Sequence, residues 1–258
     1  MLGKLLAWLR PHAVAVSIPN ALWQHTIAAH PFLAALDSSE LVRLRTLSEG
    51  LLASKEFTAA DGLELSDAAR VSIAAQGCLP ILNLGLSWYR GWVGIVVYPD
   101  EFVVPRQQAD EFGIVHEFDD VVAGEAWDGG PLILSWHDAQ MSGEGYNVII
   151  HEFAHKLDML NGEADGIPPL HREMDRESWI ATLDGAYEDF CRRVDSGEET
   201  SIDPYASNNP AEFFAVLSET FFELPALVHE EYPALYEQLR TFYRQDPLSR
   251  QALTPNDN

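Results

Sequence analysis

Lysine is nearly absent from this chain. Lys4, Lys55 and Lys156 are the whole complement, and with arginine they give 16 basic side chains against 40 acidic ones, a formal charge of −24. The negative charge is spread along the chain, and no Lys/Arg-rich segment offsets it. Such a surface repels a phosphate backbone, which argues against direct nucleic-acid binding. Cysteine is equally scarce. Cys78 and Cys191 lack CxxC spacing and cannot form the dense framework of a small secreted domain, so both read as thiols. No window supplies the roughly 18 to 20 uninterrupted apolar residues of a membrane span. The N-terminal MLGKLLAWLR is short for a secretory core and meets Pro11 at once; it reads as a packed terminal helix or a weak surface contact. These absences point to a soluble cytoplasmic protein.

What is present is enough apolar chain for a substantial core: 258 residues, 47% of them hydrophobic. Asp37-Ser-Ser-Glu40 can cap the run LVRLRTLSEGLLASKEF, whose leucines recur at helical spacing. A second helix is predicted over 66–84, starting at Ser66-Asp67, with Pro80 bending or ending it. Between 92 and 137 the pattern changes to short β-rich runs, WVGIVVYP, EFVVP, EFGIVHEF and PLILSW. Helices follow over 146–160, 173–194, 209–223 and 227–244, the first two separated by NGEADGIPPL. The expected fold is α+β, a single domain over 1–258. Within it lie a helical N-terminal portion (1–90), a portion (91–245) with the mixed strand-rich segment before the helix over 146–160, and a polar tail expected to fray (246–258). A strand-edge boundary near 90 is the alternative division.

The sharpest local feature is His151-Glu152-Phe153-Ala154-His155 within NVIIHEFAHKLDML. On a helix, histidines four residues apart address one side and can bind the same zinc ion, while Glu152 at that edge can serve as general base for an attacking water. A third protein ligand must come from elsewhere. The extended HExxHxxGxxH form is disfavoured, because positions 158 and 161 hold Asp and Asn. Asp158 shares the histidine face and is a candidate to orient an imidazole. Downstream, NNPAEFFAVLSETFFE offers Glu212, Glu219 and Glu223; Glu212 and Glu219 nearly share a helix face, so periodicity does not separate them.

Taken together, AAQGCLPILNLG, NVIIHEFAHKLDMLNGEADG and YASNNPAEFFAVLSETFFE resemble the Mlc titration factor A family of zinc metallopeptidases, whose catalytic domain is similar to that of anthrax lethal factor. The resemblance covers most of the chain and implies a single zincin-like metallopeptidase domain, with 91–245 as its catalytic portion and the mixed strand-rich segment before the HExxH helix. It implies one catalytic zinc held by His151, His155 and Glu212, with Glu152 as general base and Tyr205 as a phenol near the ion. Glu219 is then left to receive a histidine N–H or to stabilise its helix. Gly77 stands where the family usually has Ala, a small-for-small change. The acidic turn Glu163-Ala-Asp165-Gly does not match calcium-loop spacing and reads as the rim of a cleft.

His116 and His137 lack supporting spacing and read as structural or exposed; Trp88, Trp92, Trp127 and Trp136 read first as packing around the strands, with a peptide groove as the alternative. An edge strand at 131–136 is expected to bind substrate backbone by strand addition. The functional expectation is a zinc-dependent peptidase on peptide substrates, with aminopeptidase activity implied by the resemblance. The competing expectation is a protein-binding regulator with structural zinc. The resemblance implies a link to the glucose phosphotransferase system through the repressor Mlc as protein partner.

Overall fold

The structure is a computed structural model that describes residues 16–109 and 115–251. The segment MLGKLLAWLR, the last residues of the polar tail and the side chain of His116 lie outside the described residues. Helices α1 (Asn20–Ala29) and α2 (Pro31–Ala34) lead into α3 (Ser38–Ser54). The start of α3 is a complete capping box: Asp37 accepts from Ser39 N–H and Glu40 N–H, and Glu40 accepts from Asp37 N–H. Ser66 caps α4 (Asp67–Cys78), which stops before Pro80 as its missing N–H requires.

Strand β1 (Glu56–Ala59) arises between α3 and α4 and pairs in parallel with β2 (Gly94–Tyr98). Because β1 belongs to the first 90 residues, the sheet crosses the boundary considered there. β2 is also parallel to β6 (Leu132–Ser135), and β5 (Gly124–Ala126) runs antiparallel along the other side of β6, giving the order β1-β2-β6-β5. All four residues of β6 are buried, as its unbroken apolar run LILS demands of an interior strand. Among the described residues the edge strand beside the site is therefore β5, and the expectation of an edge at 131–136 is corrected. Among the described residues, strands β3 (Phe102–Ala109) and β4 (Val115–Val122) pair only with each other, as a separate antiparallel ribbon.

The C-terminal half is helical: α5 (Trp136–Ala139), α6 (Val148–Asp158), α7 (Arg176–Asp195), α8 (Pro210–Glu223), α9 (Pro225–Glu231), α10 (Pro233–Tyr243) and α11 (Pro247–Gln251). The single helix expected over 227–244 is two, broken where Pro233 removes a backbone donor. Within the described part of the tail expected to fray, Pro247–Gln251 form α11, with Arg250 Nη2 on Glu40 Oε1 at 2.7 Å. Just before it, Gln245 Nε2 donates to Leu79 O at 2.8 Å.

Helices α6 and α8 run through the core. Ile149, Ile150, Phe153 and Leu157 of α6 are fully buried with Phe213, Phe214, Leu217 and Phe221 of α8, Trp179 of α7 and Phe242 of α10. Gly77 has a packing reason: a Cβ there would lie 2.5–2.7 Å from the Phe153 ring, so the glycine lets α4 meet the helix that carries the two histidines. Two of the three lysines are spent inside. Lys55 Nζ donates to Tyr89 O and Trp92 O and sits 3.6 Å from the Trp92 ring centroid. Lys156 Nζ, on α6, gathers the carbonyls of Trp127, Gly130 and Pro131, which ties the β5–β6 turn to that helix. Burial draws both ammonium groups down to about 8.

Candidate metal centre

Two asparagine caps set the geometry. Asn147 Oδ1 accepts Ile150 N–H and starts α6, all eleven of whose residues are buried. Asn209 Oδ1 accepts Glu212 N–H and, with Pro210 at the first helical position, starts α8 so that Glu212 lies in its first turn. The four-residue spacing brings the His151 and His155 rings to 4.7 Å between centroids, with their Nε2 atoms 3.1 Å apart. Glu212 Oε2 lies 2.9 Å from His151 Nε2 and 3.4 Å from His155 Nε2. Glu219, two turns along α8, is on the other side of His151, its Oε1 2.7 Å from Nδ1. Glu212 thus reaches both Nε2 atoms, and Glu219 meets the other ring nitrogen of His151.

The donor set fits a single divalent ion. Ligand atoms about 2.0–2.2 Å from a tetrahedral zinc are roughly 3.3–3.6 Å apart, close to the separations found here. Two imidazole nitrogens and a carboxylate oxygen converge within 4.8 Å of one another. Electrostatics follow the same geometry. Burial alone would lower His151, but its bonds to Glu212 and Glu219 carry it well above the usual histidine range. Burial opposes ionisation of Glu212, yet the two histidines hold it well below the usual carboxylate range. Glu219 is raised by burial against the pull of His151.

Glu152 is buried, and burial pushes its carboxyl up to about 7. Its Oε2 has no hydrogen-bond partner. Gly124 of β5 passes so close that a Cβ would overlap the Glu152 carboxylate, so glycine is what lets the strand edge border this group. Two adjoining hollows of about 450 and 410 Å³ meet here, sharing Val122, Gly124, His151, Glu152 and Tyr205 as walls. Tyr205 stands on a short 3-10 turn capped by Asp203, its ring 6.2 Å from that of His151. The turn at Ala164 and Asp165 rims the larger hollow, as expected from the sequence.

Asp158 does not do what its spacing predicts. Its Oδ2 accepts Gly166 N–H at 2.8 Å, and neither its Oδ1 nor His155 Nδ1 has a hydrogen-bond partner. It pins the loop ahead of α7 rather than an imidazole. Trp92 is buried while Trp127 is half exposed, and neither lines the two hollows. His137 is exposed away from the cluster, and both cysteines are free thiols. Sequence reasoning missed Asn147, whose place just before VIIHEFAH is an N-cap signal. It also left Glu223 without a role, although the residue follows Glu219 by one helical turn.

No helix among the described residues is long and apolar enough to cross a membrane. The profile of the family "Glucose-regulated metallo-peptidase M90" matches residues 6–244. The Mlc titration factor A of Salmonella arizonae is 44% identical over 236 residues, covering 89% of this chain and 92% of the relative. The proteins of the same name from Yersinia pestis and Yersinia pseudotuberculosis are each 40% identical over 235 residues, covering 89% of this chain and 86% of theirs. With that coverage, and with a His-His-Glu cluster able to hold a metal ion, the chain belongs to the glucose-regulated metallo-peptidase M90 family, that of Mlc titration factor A.

Proposed function

We propose that the chain is a zinc-dependent peptidase, in which His151, His155 and Glu212 hold one ion and Glu152 is the general base. The observation that carries this reading is the buried, unpartnered Glu152 Oε2 beside three converging ligand atoms at the floor of an open cleft. When bound, zinc supplies Lewis acidity to the scissile carbonyl. Glu152 accepts a proton from the attacking water and delivers it to the leaving amine nitrogen; a carboxyl raised to about 7 is matched to both tasks near neutral pH. Glu219 holds His151 Nδ1–H, leaving Nε2 to face the ion. The Tyr205 hydroxyl, at the cleft wall, donates to the carbonyl oxygen as it gains negative charge. The free edge of β5 beside Glu152 offers backbone pairing to an extended peptide. An aminopeptidase acting in the cytoplasm is the finer form of this reading, supported by the resemblance.

The test is zinc content and hydrolysis of a diverse peptide set, for wild type and Glu152→Ala. Zinc is expected to be retained while kcat/KM falls by about 10²–10⁴-fold; unchanged cleavage would sink the general-base assignment.

A second reading is favoured by the name of the relatives, Mlc titration factor A: the chain binds a transcriptional repressor of the Mlc type and so acts on the glucose phosphotransferase system. A net charge of −24 suits capture of the repressor protein rather than its DNA. The two readings are compatible. Repressor binding by the Glu152→Ala protein at wild-type affinity would mean that recognition needs no turnover.

A further inference from the structure

Behind the histidines lies a buried polar cluster of which the reaction just described uses only Glu219. Glu219 and Glu223 are one turn apart on α8, both buried, and Asn147 at the head of α6 meets both. Its backbone N–H donates to Glu219 Oε2. Its Nδ2 donates to Glu223 Oε1 at 2.8 Å and to Gln76 Oε1 of α4, also at 2.8 Å, while its Oδ1 caps α6. Its carbonyl accepts His151 N–H at 3.0 Å, so all the hydrogen-bonding groups of Asn147 are committed, to three different helices. Glu223 Oε2 in turn accepts Gly145 N–H at 3.1 Å, and Gln76 Nε2 donates to Ser72 Oγ at 3.1 Å.

We propose that Asn147 is a positioning residue of the metal centre: through Glu219 it fixes the orientation of the His151 ring, and through Glu223 and Gln76 it fixes how α6 seats against α8 and α4. The inference rests on the metal-centre reading above and deepens it. The physical reason is specific. Glu219 has two oxygens, one spent on His151 Nδ1 and the other held by Asn147 N–H, so its carboxylate plane, and with it the ring, is set by where the first residue of the α6 cap lies. That place is held by the side chain. An alanine or a serine at 147 would leave Glu223 facing no side-chain amide, and the two carboxylates of α8 would lose the donor pair that lets them sit together out of water. Groups that orient a metal-binding histidine from behind typically change metal affinity by about 10- to 100-fold when removed.

The direction of the Asn147–Glu223 bond supplies the test. Asn147→Asp keeps the Oδ1 cap and the backbone N–H but replaces the amide donor with an acceptor. Adding Glu223→Gln reverses the bond, with the new amide donating to the new carboxylate, and returns the net charge to that of the wild type; Gln76 meets the swap by turning its amide over. Zinc affinity is measured by competition with a chromophoric chelator, alongside the melting temperature of the metal-free proteins. The expected result is about a 10- to 100-fold loss of zinc affinity in Asn147→Asp, with most of it regained in the double variant. Gln76→Leu, which removes only the acceptor that α4 offers to the Asn147 amide, should lose a few-fold and serves if Asn147→Asp does not fold. Wild-type affinity in Asn147→Asp and in Gln76→Leu overturns the proposal. So does a drop in melting temperature with zinc affinity unmoved, the mark of a merely structural cap. A double variant no tighter than Asn147→Asp also overturns it. If the wild type binds no zinc, the metal-centre reading itself falls, and this inference with it.

Discussion

The α6–α8 pair and the β3–β4 ribbon stand on opposite sides of the same cleft and are built on opposite principles. Every residue of α6 is buried, and so is every residue of α8 after Pro210 except Glu212, the one that reaches into the site. Their polar groups are tied to asparagine caps and to each other, so the ligand atoms are held by packing from all sides. The ribbon pairs only with itself and exposes Val103, Val115, Phe118 and Val121 at 47–59%. Val122 and Asp120 at its base still wall the cleft. The contrast separates two requirements of a site: chemistry needs groups fixed to fractions of an ångström, whereas a wall needs only to be near. The fixed groups sit on the stable part of the molecule, and the wall on a part that can vary without endangering the fold.

This contrast can be broken by measurement, most decisively at Phe153. Between the two histidines in sequence, its ring is fully buried against Gly77, Tyr89 and Trp92. Phe153→Ala should cost about 3–5 kcal/mol in denaturant unfolding and lower zinc affinity with it. A loss below about 1 kcal/mol would mean that α6 is not the rigid element described.

A smaller effect sharpens the electrostatic side of the comparison. Burial raises Glu223 to about 7 from the ordinary 4.5, so the folded protein binds this proton more tightly than the unfolded chain. The group therefore favours the fold below pH 4.5, and that contribution is lost as pH rises through 7. Removing the group in Glu223→Gln should make the slope of unfolding free energy against pH less negative across that window. Identical slopes would mean that the buried carboxyl titrates as an exposed one.

The smallest effect is expected on the ribbon. Val103 and Val121 face each other across the β3–β4 ladder with more than half of each exposed. Replacing both with serine should leave stability within about 0.5 kcal/mol of the wild type; a loss of several kcal/mol would erase the distinction between the two walls.

Much of the fold was legible because local signals are strong where the chain must start or stop a helix. Asp37-Ser-Ser-Glu40, Ser66-Asp67 and Asn209-Pro210 each cap a helix where the sequence places one. The errors have equally local causes. Pro233 was overridden by an apolar pattern that continues across it, and α11 was hidden by a polar composition that says nothing of Arg250 reaching Glu40. The identity of the edge strand was not readable at all, because LILS has the same apolar pattern whether one neighbour or two lie beside it. Asp158 was misplaced for a related reason: a shared helix face limits which way a side chain points but not what lies there, and what lies there is the backbone of Gly166.

The sequence by itself determined that His151 and His155 address one point, since four residues of α-helix leave them no other arrangement, and that the chain carries a charge of −24, which repels other anions. Residue types and short spacings carry that information. Only the tertiary structure decided that Glu212 meets the Nε2 atoms while Glu219 takes the far side of His151, and that Asn147 joins α6, α8 and α4 behind them. Those partners are 61 to 76 residues apart in the chain, where helical periodicity has no reach and the packing of one helix on another sets every distance.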